Sequence, residues 1–151
     1  MPQWTAEVID GRISRELRRS VLRPHYPVDA VLPGDDLEGA VHLGVFADTD
    51  AGRVLASTCM IFPQRCSWLP EAIGWQLRSM ATDPDWRGIG AGTEILRAAR
   101  AFATAAGATV LWCNARVPAI EFYRRNGFLE HGELFDAEGG PHRRMWLRLS
   151  D

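Results

Sequence analysis

The 151-residue sequence predicts an α/β fold, a mixed central β-sheet flanked by helices, in the order β-α-β-β-β-α-β-α-β-β. Three observations predict it. Helix-period patterns alternate with short apolar or alternating runs along the chain, as they do in sheets with helices on their faces. Residues 108–113 (ATVLWC) form an almost unbroken apolar run, as a strand covered on both faces does. Residues 86–92 (WRGIGAG) place a glycine-rich turn between an apolar run ending at Ala81 and a helical pattern reaching Ala106.

The elements follow in order. Residues 3–9 (QWTAEVI) read as a short first strand. After Gly11, Ile13, Leu17, Val21 and Leu22 recur at helical spacing, with arginines at 15, 18, 19 and 23 on the other face. Pro24 ends that helix. Residues 24–39 hold three prolines, two glycines and three aspartates; this is a long loop with room for one helical turn, and loops of such length are often functional. Strands are predicted at 40–47 and 53–62 around the hairpin turn DTDAG. Residues 63–72, with two prolines, form a loop before a strand at 73–82, which Asp83-Pro84-Asp85 closes because proline rejects the ladder.

In the helix over 91–106, Ile95, Leu96, Ala99, Phe102, Ala103 and Ala106 share one face, and Glu94 can pair with Arg97. Gly107 is a natural stop. The buried strand at 108–113 follows. Pro118 can open the next helix, which carries Ile120, Phe122 and Tyr123 and ends at Asn126-Gly127. Strands at 128–135 and 142–149 flank a turn, DAEGGP.

Composition narrows the function. Hydrophobic residues are 46% of the chain, enough for one ordinary core, so a single domain over 1–151 is expected. A formal charge of −2 supplies no basic field for nucleic acid. All 17 basic residues are arginine, which excludes a lysine Schiff base or nucleophile. Cys59, Cys66 and Cys113 form no CxxC pair, and an odd number of unpaired thiols favours a reducing compartment. The opening MPQWTAEVIDGR has no basic-then-apolar signal pattern, and no apolar run reaches spanning length. A soluble, cytoplasmic protein without membrane partners is expected. His25, His42, His131 and His142 show no i, i+4 spacing, so no metal is expected.

The glycine-rich turn carries the chemistry. Gly88, Gly90 and Gly92 remove Cβ atoms and let successive N–H groups share one concavity. The helix start behind them adds unpaired donors and a positive dipole end, a setting for phosphate. A dinucleotide fingerprint fails, because Thr93 or Ile95 stands where its third glycine belongs. A nucleotide P-loop fails because there is no lysine. A third pattern, Arg/Gln-x-x-Gly-x-Gly/Ala, fits Arg87-Gly88-Ile89-Gly90-Ala91-Gly92 at every fixed position. A ligand-free connector stands beside it.

That third pattern is the pyrophosphate loop of the GCN5-related N-acetyltransferases. The chain also reads Tyr123-Arg124-Arg125-Asn126-Gly127-Phe128, similar to that family's Tyr-x-x-x-Gly-Phe signature at the expected distance. The two motifs in order are specific where each alone is weak. Asn114-Ala115-Arg116 and Gly140-Pro141-His142 resemble the bacterial ElaA-like branch. The resemblance covers the chain from about Leu17 and is strongest over 76–149.

The resemblance implies an N-acetyltransferase that moves an acetyl group from acetyl-CoA directly to a small-molecule or peptide amine in a ternary complex. Amides at Gly88, Ile89, Gly90, Ala91 and Gly92 would cradle the coenzyme pyrophosphate, with Arg87 opening the loop. Main-chain groups of Met80 and Thr82 would pair with the pantetheine arm. An amide at Met80 or Ala81 would polarise the thioester carbonyl. Asn114 would bond the pantetheine, and Tyr123 would protonate the leaving thiolate. A phenol near ~10 is a reasonable donor to a thiolate of about 8.5. A non-catalytic acyl-CoA-binding domain on the same fold, or a subunit that binds no cofactor, are the rival readings; a homodimer is left open.

Several residues carry two readings each. Tyr123 or Phe122 can be core. His142 can bond backbone or serve the acceptor. Arg124, Arg125 and Arg116 can face solvent or a phosphate. Trp68, Trp75 and Trp112 read as core, although Trp68 sits in a loop that can line a pocket. Asp35, Asp36 and Glu38 hint at a cationic acceptor, or form a solvated loop. Many relatives place an acid on the fourth strand, yet residues 73–82 contain none, so the base stays unassigned.

Overall fold

The computed structural model describes residues 2–149. Its elements are β1 (Trp4–Ile9), α1 (Gly11–Leu22), β2 (Val41–Thr49), β3 (Gly52–Pro63), β4 (Gly74–Thr82), α2 (Ala91–Ala105), β5 (Val110–Arg116), α3 (Ile120–Arg125), β6 (Leu129–Ala137) and β7 (Gly140–Arg148). This is the predicted order, element for element. The strand order is β1-β2-β3-β4-β5-β7-β6. The sheet is mixed, since β4 and β5 run parallel while β1–β2, β2–β3, β5–β7 and β6–β7 are antiparallel. The chain forms two compact units. One holds the residues through Phe62 with Ser79–Ala99, the other Pro63–Arg78 with the residues from Arg100 on.

In the first unit, β2 lies between β1 and β3, with Val45, Ala47, Ala56, Cys59 and Ile61 fully buried. The Asp10 carboxylate accepts from the Arg12 amide at 2.9 Å and caps α1. The inward face of α1 is not the predicted apolar one. Ile13 is 56% exposed, whereas Ser14 and Arg18 are buried. Arg18 goes inside because acceptors meet it there. Its guanidinium donates to Asp35 Oδ1 at 2.6 Å, the Gly11 carbonyl at 2.7 Å and Ser14 Oγ at 3.1 Å. Asp35 also accepts from the Leu32 amide at 2.8 Å and lies 3.3 Å from Arg15 Nε. The loop before β2 is thus tied to α1 by a buried ion pair. It holds a chain of turns, such as Ala30 N to Pro27 O and Asp35 N to Leu32 O, and no helix.

In the second unit, the β4–β5 ladder runs from Gly74↔Val110 to Leu77↔Cys113, and Asn114 follows it. The predicted strand at 108–113 sits two to three residues further on, because Asn114, Ala115 and Arg116 pair with Arg144, Arg143 and His142. The apolar run stops at Cys113, while the strand goes on to Arg116. Val110, Leu111, Cys113, Phe128 and Met145 form the core. Gly107 ends α2 as expected, with a φ of +96° and the Ala108 amide donating to Ala103 O at 2.9 Å. The last turn is shorter than DAEGGP. Only Glu138 and Gly139 separate β6 from β7, and the flanking residues join the strands.

Candidate active site

The glycine-rich loop lies in the first unit and is built in steps. Asp83 anchors it: its amide donates to Ala56 O at 2.8 Å, and its carboxylate accepts from the Asp85 amide at 2.9 Å. A single 3-10 turn, Pro84–Trp86, follows. Arg87 Nε donates to Thr82 O at 3.3 Å. The backbone then reverses at Gly88 (φ +79°) and Gly90 (φ +104°), conformations that L side chains disfavour. A Cβ at Gly88 would meet nothing within 4 Å, so the loop is open on that side. Glu94 N to Gly90 O, 3.0 Å, is among the first bonds of α2. By helix geometry the amides just before it have no helical acceptor. Ala91 is 1% exposed and packs with Ala47, Ala56, Trp4 and Trp86, fixing the helix start. The loop thus presents backbone donors ahead of a packed helix start.

Upstream, Ser79 has a φ of +54° inside β4. A serine in the left-handed region of a strand re-aims the residues after it. Ala81 and Thr82 are held from below: buried Ser57 Oγ donates to Ala81 O at 3.2 Å and lies 3.1 Å from Thr82 Oγ1. Neither Ser79 nor Ser57 was singled out from sequence. The serine at 79 lacks the glycine or asparagine signal of a reversed backbone. Thr82, Met80 and Arg87–Gly92 all belong to this unit.

Asn114 and Tyr123 belong to the second unit. Asn114 is exposed. Tyr123 is 6% exposed, with the Phe122 and Phe128 rings edge-on at 5.5 and 5.2 Å. Its hydroxyl is within hydrogen-bonding reach of the Cys113 thiol, which burial pushes well above the ordinary thiol value. The signature residues form a helix stop. Gly127 turns with a φ of +92°, its amide donates to Arg124 O at 3.0 Å, and the Phe128 amide donates to Tyr123 O at 3.0 Å. Phe128 thereby returns to the Tyr123 ring. Arg124 is not free for a phosphate, since it bonds Glu121 and Glu130; the Arg124 bond holds Glu130 below the usual carboxylate range. Asp35 is committed to Arg18 and is no acceptor-binding carboxylate. His142 Nδ1 lies 2.7 Å from Gly140 O. Trp68, which has a stacked His131 at 4.5 Å, and Trp112 are half-buried. Among the described residues no three His, Cys, Asp or Glu side chains form a metal cluster.

The acetyltransferase (GNAT) family model matches residues 13–128, which include both motifs. The chain belongs to that family. An N-acetyltransferase of Bacillus subtilis (strain 168), YitI, described as uncharacterized, is 36% identical over 136 residues, 89% of each chain. Two solved structures show the same fold. Escherichia coli ElaA superposes with a TM-score of 0.70 at 16% identity, covering 98% of this chain and 100% of its own. FeeM, an N-acyl amino acid synthase from uncultured soil microbes, superposes at 0.77 and 15% identity, covering 99% and 92%. Membership of the GNAT family supports acyl transfer as the general activity. Among the described residues, no helix is long and apolar enough to cross a membrane.

Proposed function

We propose that the protein is a cytoplasmic acetyl-CoA-dependent N-acetyltransferase acting by direct transfer. The observation that carries this is the loop Arg87–Gly92, with two reversed glycines and an unobstructed face ahead of a helix start. Its amides suit a diphosphate, and the residues present fit the coenzyme for that reason. Main-chain groups of Met80, Ala81 and Thr82 would hold the pantetheine and polarise the thioester carbonyl, and Asn114 would bond the arm. In the transfer, the amine nitrogen attacks the carbonyl carbon and the C–S bond breaks. Tyr123 gives its proton to the thiolate sulphur, and the proton that the amine nitrogen releases on forming the amide returns through water to the Tyr123 phenolate, so the protons balance.

A second reading, a coenzyme-binding domain without turnover, is favoured by one observation: Tyr123 is buried beside Cys113. A Tyr123→Phe variant decides between them. Acetyl transfer to an amine panel should fall by about 10²- to 10⁴-fold, the usual span for a general acid, while acetyl-CoA binds as before. If the wild type binds acetyl-CoA and acetylates no amine, the second reading stands.

A further inference from the structure

Face the second unit's sheet from one side and two strands present a cationic row. Paired residues of antiparallel strands point to the same face, so the register puts Asn114 with Arg144 and His131, and Arg116 with His142 and Phe135. Arg144 sets its guanidinium over the Phe135 ring, 4.4 Å from the centroid. The Arg116 guanidinium lies flat against the β6–β7 turn, so close to Gly139 that a Cβ there would come within 3.1 Å of Cζ. Both arginines are half-buried, and among the described residues no carboxylate pairs with either. Arg15, Arg19 and Arg143 are also half-buried, and each of those has one. The strand carboxylates nearby do not help, because Glu130 and Asp136 pair with Met145 and Pro141 and so point to the opposite face. Stacked on His131, Trp68 adds a buried Nε1 donor with no acceptor. Among the described residues, this face has half-buried donors in excess of the carboxylates that pair with them.

We propose that the amine acceptor also carries a carboxylate, bound by Arg116 and Arg144. The two are diagonal neighbours on adjacent strands, roughly 7–8 Å apart and somewhat closer at Cβ, a spacing from which two guanidinium groups reach one carboxylate. A planar carboxylate accepts paired N–H groups from a guanidinium, which a neutral amine's substituents do not. Asn114, opposite Arg144 in register, is the residue assigned above to the pantetheine, so the inference rests on the acyltransfer reading. In that reading the carboxylate fixes the acceptor while its amine stays uncommitted.

The test compares α-, β- and γ-amino acids with their carboxamides and decarboxylated amines, with acetyl-CoA as donor. The carboxylate-bearing acceptors should show kcat/KM about 10- to 100-fold higher, the range expected of charge-assisted hydrogen bonds. Arg116→Gln and Arg144→Gln should raise KM for those acceptors by a similar factor, with kcat and acetyl-CoA affinity little changed, and leave the carboxamides unaffected. Arg116→Lys should recover part of the loss. Carboxamides acetylated as well as the acids would overturn the inference and leave acyl transfer standing. Acetyl-CoA binding with no transfer to any of these amines would remove both. Should the glutamine variants fail to fold, the wild-type comparison alone still decides.

Discussion

Replacing Arg18 strands a carboxylate. Asp35 is held by Arg18, by Arg15 and by the Leu32 amide, and its side chain is 6% exposed. Arg18→Met should therefore destabilise the fold by about 3–5 kcal/mol, the range for breaking a buried pair. Arg18→Met combined with Asp35→Leu should cost clearly less, because no fully buried charge is left unpaired; Arg15, which loses Asp35, is only half-buried and can turn to solvent. Denaturant titration of both variants checks this, and equal losses would mean that Asp35 is not the source. At Tyr123, the phenol should matter more for turnover than for folding: Tyr123→Phe keeps the ring and removes only the hydroxyl's hydrogen bonding, worth about 1 kcal/mol per bond. The same residue scale shows where sequence reading fails. An arginine among polar neighbours at helical spacing reads as solvated, and the charged acceptor that draws Arg18 inside, beside the Gly11 carbonyl and the Ser14 hydroxyl, lies 17 positions away. Ser79 likewise gives no sign of its backbone in its identity.

At the scale of elements, Gly127 and the glycine loop do different work. Gly127 lets α3 stop and return Phe128 to Tyr123. Gly127→Ala should lower stability by about 1–2 kcal/mol, the cost of a left-handed L residue, with a Cβ 3.4 Å from a Leu147 methyl adding little. Thermal melts measure it; an unchanged melting temperature would refute the stop. Element existence was legible throughout, because apolar periods and proline–glycine punctuation are local signals. Boundaries were less so. The end of β5 lay hidden in Asn114-Ala115-Arg116, whose pairing with β7 is a long-range fact. Arg116 and His142 could be named from sequence, but that they share a face follows from register alone.

Across the whole molecule, acid should loosen the first unit in two stages. Burial, and then the nearby Arg18 charge, hold His42 below the ordinary histidine value of 6.5, and its Nδ1 has no partner. A depressed folded value means stability that is present above 6.5 and lost as pH falls through the folded value. Burial raises Asp35, but the Leu32 amide and Arg18 outweigh it, and its carboxyl sits below the ordinary 3.8. That contribution is kept above 3.8 and lost on further acidification. The melting temperature should thus begin to fall below about 6.5 and fall more steeply below about 3.8. His42→Gln should remove the first decline; a variant that keeps it would assign the effect elsewhere.

The loop's role can be measured directly by titrating acetyl-CoA calorimetrically into the wild type and into Gly90→Val. Gly90 has a φ of +104°, which strains a valine whatever the space, although a Cβ there would reach only Trp4 Nε1 at 4.0 Å; the variant should lose at least about 1–2 kcal/mol of stability and turn its row of amides while the rest of the fold stays in place. The wild type should bind acetyl-CoA, and the folded variant should bind at least about tenfold more weakly, as expected from losing one charge-assisted hydrogen bond or more. Equal affinity in the two proteins, or no binding by the wild type, would contradict the account.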